Sequence, residues 1–90
     1  MEVIFTPQAY EDLKFWKKTG NRTIQKKIEK LILAIKESPF EGIGKPEPLK
    51  YELTGSWSRR IDKEHRIVYE IYEKNTVIIL EIQSLRGHYK

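Results

Sequence analysis

Ile24, Ile28, Leu31 and Ile35 recur at intervals of four, three and four residues, the spacing of one face of an α-helix, and Ile32 widens the stripe. The Lys-rich remainder of that stretch faces water. The pattern predicts a helix from about Arg22 to Glu37, capped by Asn21 and stopped by the Ser38-Pro39 pair. Upstream, TPQAYEDLKFWKKTG carries helix punctuation at both ends, with Thr6 as N-cap, Pro7 in the first turn and Gly20 as the stop. Glu11 and Asp12 near its start and Lys17 and Lys18 at its end suit the helix dipole. EVIF, ahead of it, reads as a short strand. After a loop over residues 38–48 the period falls to two. LKYEL, WSRRI, HRIVYEIY and TVIILEIQSL then read as four strands, separated by the turn signals TG, DKE and KN.

Helices followed by strands on short turns imply an α+β fold, with the N-terminal strand and two helices packed on one face of an antiparallel sheet. With 90 residues and no repeat, linker or low-complexity stretch, the expectation is one domain over residues 1–90. Register follows from keeping apolar residues together. A turn centred on Lys63 sets Trp57 opposite Tyr69 and Ile61 opposite His65. A two-residue turn at Lys74–Asn75 sets Ile67, Tyr69 and Ile71 opposite Ile82, Leu80 and Ile78. On the other face the same register places Arg60 across from Arg66. Two facing arginines repel unless they share an anion or reach apart into water.

Composition adds limits. Seventeen Lys and Arg against thirteen Asp and Glu give a formal charge of +4, and four of the cations crowd into WSRRIDKEHR, residues 57–66. That balance favours a polyanion only modestly. The absence of cysteine removes disulfides and Cys-based zinc sites and fits a reducing cytoplasm. No apolar run reaches the roughly 20 residues of a membrane span, and no signal-peptide pattern opens the chain. A phosphate cradle of the P-loop kind is excluded, because GIGKPEP is too short and leads to no helix. Metal binding lacks a ligand cluster, so neither metal nor other cofactor is expected.

Within GKPEPLK, residues 44–50, Glu47 is clamped between Pro46 and Pro48, which stiffen the backbone in what otherwise reads as loop. SLRGHYK, at the other end, places His88 and Tyr89 just past a strand. His65 reads as a half-buried structural residue. Each candidate alone has a bland explanation: a solvated loop acid, a solvated basic face, an exposed terminal histidine. Together, a rigid carboxylate, paired arginines and a terminal imidazole supply the base, the phosphate ligand and the acid that RNA cleavage by its own 2′-hydroxyl requires.

The stretch SPFEGIGKPEPLKYELTGSWSRRIDKEHRIVYEI and the terminal RGHY resemble the YoeB/Txe toxins of type II toxin–antitoxin systems, within the RelE/ParE superfamily. The resemblance covers nearly the whole chain and implies a compact fold of the microbial-ribonuclease type. It implies a cytoplasmic, ribosome-dependent endoribonuclease that cuts messenger RNA in the A site of the 70S ribosome and blocks translation. Its implied catalytic residues are Glu47 as base, Arg66 as phosphate ligand and His88 as acid. Lys50 and Arg60 match supporting basic residues and Tyr89 the adjacent aromatic. The implied partner is an antitoxin of the YefM/Axe type, and the helix surfaces could support a homodimer. The rivals are a ParE-like gyrase inhibitor and a non-catalytic RNA-binding module. Strict alternation along the last strand turns His88 away from Arg66, so irregular backbone is expected between Gln83 and His88.

Overall fold

The computed structural model describes residues 1–73 and 75–84. Strand β1 (Glu2–Phe5) leads into helices α1 (Pro7–Thr19) and α2 (Arg22–Glu37), followed by strands β2 (Glu47–Pro48), β3 (Trp57–Arg60), β4 (His65–Tyr72) and β5 (Thr76–Ser84). The sheet order is β1-β5-β4-β3-β2. β2 to β5 are antiparallel neighbours, and β1 adds a parallel edge against β5. The sheet is therefore mixed, with the helices on one face.

Both helices begin and end at the residues that the sequence marks. Thr6 accepts a hydrogen bond from the N–H of Ala9 and Asn21 one from that of Ile24, each satisfying a donor of the open first turn. Gly20 closes α1 in the left-handed region, φ 73°. Ile24, Ile28, Leu31 and Ile35 are all buried, and they meet Ile61, Ile67, Tyr69, Val77, Ile79 and Ile82 from the sheet. Asp12 has a further part beyond its place in the helix. Its Oδ2 accepts the N–H of Ile82 at 2.9 Å, which bolts α1 to β5.

Two expectations need correction. LKYEL is not a strand. Leu49 N–H bonds the carbonyl of Ser56 at 2.9 Å, so the chain between β2 and β3 reverses within residues 50–55, and Tyr51–Leu53 form a single 3₁₀ turn. The strand lies earlier, at Glu47–Pro48, where Glu47 pairs with Ser58 and Pro48 with Trp57. The β4–β5 register also changes midway. Ile67 faces Ile82 as expected, but Tyr69 faces Ile79 and Ile71 faces Val77. Position 80 has no opposite number, which is a β-bulge. Val77 and Ile79 consequently enter the core.

Gly44 sits at φ +84°, and an added Cβ there would lie 2.8 Å from Cδ2 of Leu31 and 3.1 Å from Cβ of Arg59. Gly20, at φ +73°, has open space around the same point. Gly44→Ala should therefore cost about 2–3 kcal/mol, combining a strained backbone with a core clash, against about 1 kcal/mol for Gly20→Ala. Urea unfolding of the two variants side by side checks the difference.

Candidate functional site

Alternation along β3 puts Trp57 and Arg59 on the helix-facing side of the sheet and Ser58 and Arg60 on the other. Arg59 is thus an arginine at a core position. It is fully buried, and no carboxylate among the described residues meets it. Its Nε donates to the hydroxyl of Tyr69 at 3.2 Å and its Nη1 to the carbonyl of Ile43 at 3.2 Å. Its Nη2 donates to the carbonyls of Glu41, at 2.9 Å, and of Ser38. The Tyr69 hydroxyl in turn donates a hydrogen bond to the carbonyl of Pro39 at 2.6 Å. Burial pushes the Tyr69 phenol above its ordinary pKa, with the adjacent guanidinium opposing. The loop 38–43 is thereby tied to β3 and β4 through four of its carbonyls, and Phe40 packs on Trp57 with ring centroids 4.8 Å apart.

That anchorage delivers the next segment. The carbonyl of Gly44 takes the N–H of Arg60 at 2.6 Å, and the chain then runs through Pro46 to Glu47, paired with Ser58 at the edge of the sheet. Paired residues on neighbouring strands share a face, so Glu47 belongs to the side away from the helices. Arg60 and Arg66 lie on that side too, and they are direct partners, as the register predicted. Strand spacing and rise put the Cα atoms of Glu47 and Arg66 about 12 Å apart, two strands across and two residues along. Glu47 is exposed and Arg66 half-buried. The Nε of Arg66 is a buried donor with no partner among the described residues. A buried donor left so is uncommon, and an anion between the two guanidiniums would satisfy it and offset their repulsion. Lys50, exposed, opens the 3₁₀ turn three residues past Glu47.

A cleft of about 410 Å³ adjoins this array, lined by Lys27 of α2 with Lys45, Arg60, Ile61, Asp62 and Lys63. Its one carboxylate is already engaged. Asp62 Oδ1 accepts the N–H groups of Glu64, at 2.8 Å, and of His65, at 2.7 Å, and meets the His65 imidazole at 3.0 Å. Burial works against ionisation of Asp62, but these hydrogen bonds prevail and hold its pKa below the ordinary carboxylate range. His65, stacked edge-on against Trp16 at 4.8 Å, is the half-buried structural residue that the sequence suggested.

The structure brings Glu47, Arg60 and Arg66 to one face, with Lys50 beside them. His88 and Tyr89, and the irregular backbone expected up to His88, lie outside the described residues apart from 83 and 84, which are strand. Sequence reasoning missed Arg59. The signal was present, because strict alternation sets it between Trp57 and Ile61 on the apolar face.

A family model for the YoeB-like toxin of bacterial type II toxin–antitoxin systems matches residues 5–89. The chain belongs to the YoeB-like toxin family. Toxin YoeB of Escherichia coli K12 is 44% identical over 89 residues, covering 99% of this chain and all of the relative. The solved YoeB/ParE toxin from Agrobacterium tumefaciens superposes with a TM-score of 0.87 at 38% identity, covering 93% of this chain and 98% of that one. A Staphylococcus aureus YoeB, 42% identical over 92% of this chain and 94% of its own, has been solved as a dimer, TM-score 0.83, and in complex with YefM, TM-score 0.82.

Two outcomes follow for this YoeB-like toxin. Arg59→Lys keeps the charge but loses the planar fork, leaving loop carbonyls unpaired. It should lower stability by about 2–4 kcal/mol and speed hydrogen exchange at the Arg60 amide. Denaturant titration and exchange measured by NMR check both. Asp62→Ala should cost about 1 kcal/mol at neutral pH through the lost turn caps. A depressed folded-state pKa contributes stability above the unfolded value and loses it as pH falls. The gap between wild type and Asp62→Ala should therefore narrow below about pH 4, as read from urea midpoints against pH.

Proposed function

We propose that this toxin is a metal-independent endoribonuclease that cuts messenger RNA in the ribosomal A site and so halts translation. The observation that carries this reading is the Arg60–Arg66 pair, with its unpartnered buried Nε, on the same face as Glu47. Glu47, ionised, takes the proton of a ribose 2′-hydroxyl as that oxygen attacks the adjoining phosphorus. Arg66, with Arg60 and Lys50, binds the phosphoryl oxygens and stabilises the charge that gathers on them. His88, protonated, gives its proton to the departing 5′-oxygen, and Tyr89 supports the substrate beside it. The bond from phosphorus to the 5′-oxygen breaks, leaving a 2′,3′-cyclic phosphate and a 5′-hydroxyl. Two proton transfers at about 10²–10⁴-fold each, with charge stabilisation, suffice for this chemistry without a metal. Residues 1–90 act as one domain.

The basic cleft around Lys27, Lys45 and Lys63 supports a polyanionic substrate. The S. aureus relative solved with YefM supports an antitoxin of the YefM/Axe type as partner, and the same protein solved as a dimer supports self-association. No helix among the described residues is long and apolar enough to cross a membrane. A substrate on the ribosome puts the protein in the cytoplasm.

Glu47→Gln and Arg66→Ala should each reduce cleavage of a message on programmed 70S ribosomes by at least about 10²-fold. Their circular dichroism spectra should match wild type, since both residues lie on the side away from the core. Primer extension gives the readout. Cutting by Glu47→Gln at the wild-type rate removes the assignment. Translation arrest with an intact message and stalled gyrase points to a ParE-like action instead.

A further inference from the structure

Tyr51 stands out among the described residues on two independent counts. Its side chain is 90% exposed, more than that of any other large apolar or aromatic residue, and its backbone is left-handed at φ 60°. Left-handed backbone is commonplace for glycine or asparagine and an outlier for a bulky residue. The tip of the β2–β3 hairpin nevertheless holds it there. Thr54 donates to the Tyr51 carbonyl through both its N–H, at 3.0 Å, and its hydroxyl, at 2.6 Å. Leu53 N–H bonds the Lys50 carbonyl at 3.2 Å, and Ser56 N–H that of Leu53 at 2.9 Å. An aromatic ring is thus fixed in water on a rigid tip, in a conformation that costs stability and buries nothing. Strain that brings no packing is characteristic of recognition residues.

The neighbours indicate what it recognises. Lys50 precedes it, Glu47 lies four residues upstream on the same short hairpin, and Glu52 is the one acid beside it. A flat ring on the hairpin that also carries Glu47 and Lys50 matches an unpaired nucleobase whose own backbone runs past that carboxylate. We propose that Tyr51 is a stacking platform for the base of a nucleotide flanking the scissile link, fixing which phosphodiester comes opposite Glu47. This rests on the nuclease reading above and adds a positioning contact to it.

The test uses single-turnover cleavage of a labelled message on programmed 70S ribosomes, varying toxin concentration. Tyr51→Ala should lose roughly 5- to 100-fold in apparent second-order rate, chiefly in the half-saturating concentration, and Tyr51→Phe should keep wild-type behaviour. Tyr51→Asn suits left-handed backbone, so it should unfold at a higher temperature than wild type yet cut as poorly as Tyr51→Ala. Replacing one flanking nucleotide by an abasic residue should slow wild type and leave Tyr51→Ala unchanged, so that the two losses do not add. Unchanged cutting by Tyr51→Asn, or additive losses at every abasic position, overturns the proposal. Loss in Tyr51→Phe equal to that in Tyr51→Ala overturns it as well, because the hydroxyl and not the ring would then be the contact. A wild-type protein that leaves the message whole defeats the nuclease reading itself and this inference with it. Wild-type cutting with an indifferent Tyr51→Asn defeats the inference alone.

Discussion

A buried guanidinium that no carboxylate among the described residues meets holds the loop ahead of Glu47 in place. Arg59 is wholly inside, yet its partners are a phenol and three main-chain carbonyls, with a fourth carbonyl reached through Tyr69. Carbonyl dipoles solve the problem of a buried cation differently from a carboxylate. They stay fixed by the chain that carries them, and they need donors of their own because the loop makes no ladder. Each side removes the other's desolvation penalty, so neither is stable alone. The planar fork matters because its N–H groups point in several fixed directions at once, a reach that an ammonium on a flexible stem does not have.

Everything downstream inherits that anchorage. Gly42 and Gly44 pass close to Arg59, and the Gly44 carbonyl then meets the N–H of Arg60, so one strand grips the loop from its buried side chain and from its backbone. Two prolines carry the remaining stiffness as far as Glu47. The carboxylate is thereby positioned by the same strand that presents Arg60 to Arg66. On the proposed reading, a base and phosphate ligands placed by one rigid sheet need little ordering when substrate arrives, which is where most of the gain from a preorganised site originates.

Much of this was written plainly in the chain. The helix stripe, both caps and the pairing of Trp57 with Tyr69 and of Arg60 with Arg66 follow from period and punctuation, because each has one face to bury and one register that buries it. The bulge at position 80 was not legible. Residues 77, 78, 79, 80 and 82 are all apolar, so either parity of the first half of β5 satisfies alternation, and the sequence offers no polar residue between 77 and 80 to choose between them. LKYEL alternates well enough for a strand, yet the distance between Pro48 and Trp57 is too short in sequence for anything but a reversal. Of the candidate site, Arg60 and Arg66 came together from register alone, whereas Glu47, which reads as loop, joins their face only through its pairing with Ser58. Arg59 was overlooked because arginine at a core position contradicts polarity, even though alternation demanded it.

Three unfavourable features lie away from the helices, at the Arg60–Arg66 pair and on the β2–β3 hairpin. Facing arginines cost some tenths of a kcal/mol, a left-handed Tyr51 about 1–2, and an unpartnered buried Nε about 1–3. The helix side carries none of these and supplies the isoleucine-rich core that offsets them. That asymmetry has a thermodynamic consequence. An anion bound between Arg60 and Arg66 removes repulsion and satisfies the Nε, so it acts on the folded state alone and raises stability with its concentration. On the proposed reading, a phosphate in this site makes the protein more stable than it is without one. Destabilisation concentrated where a ligand can relieve it is what a binding site looks like in the energetics of the free protein.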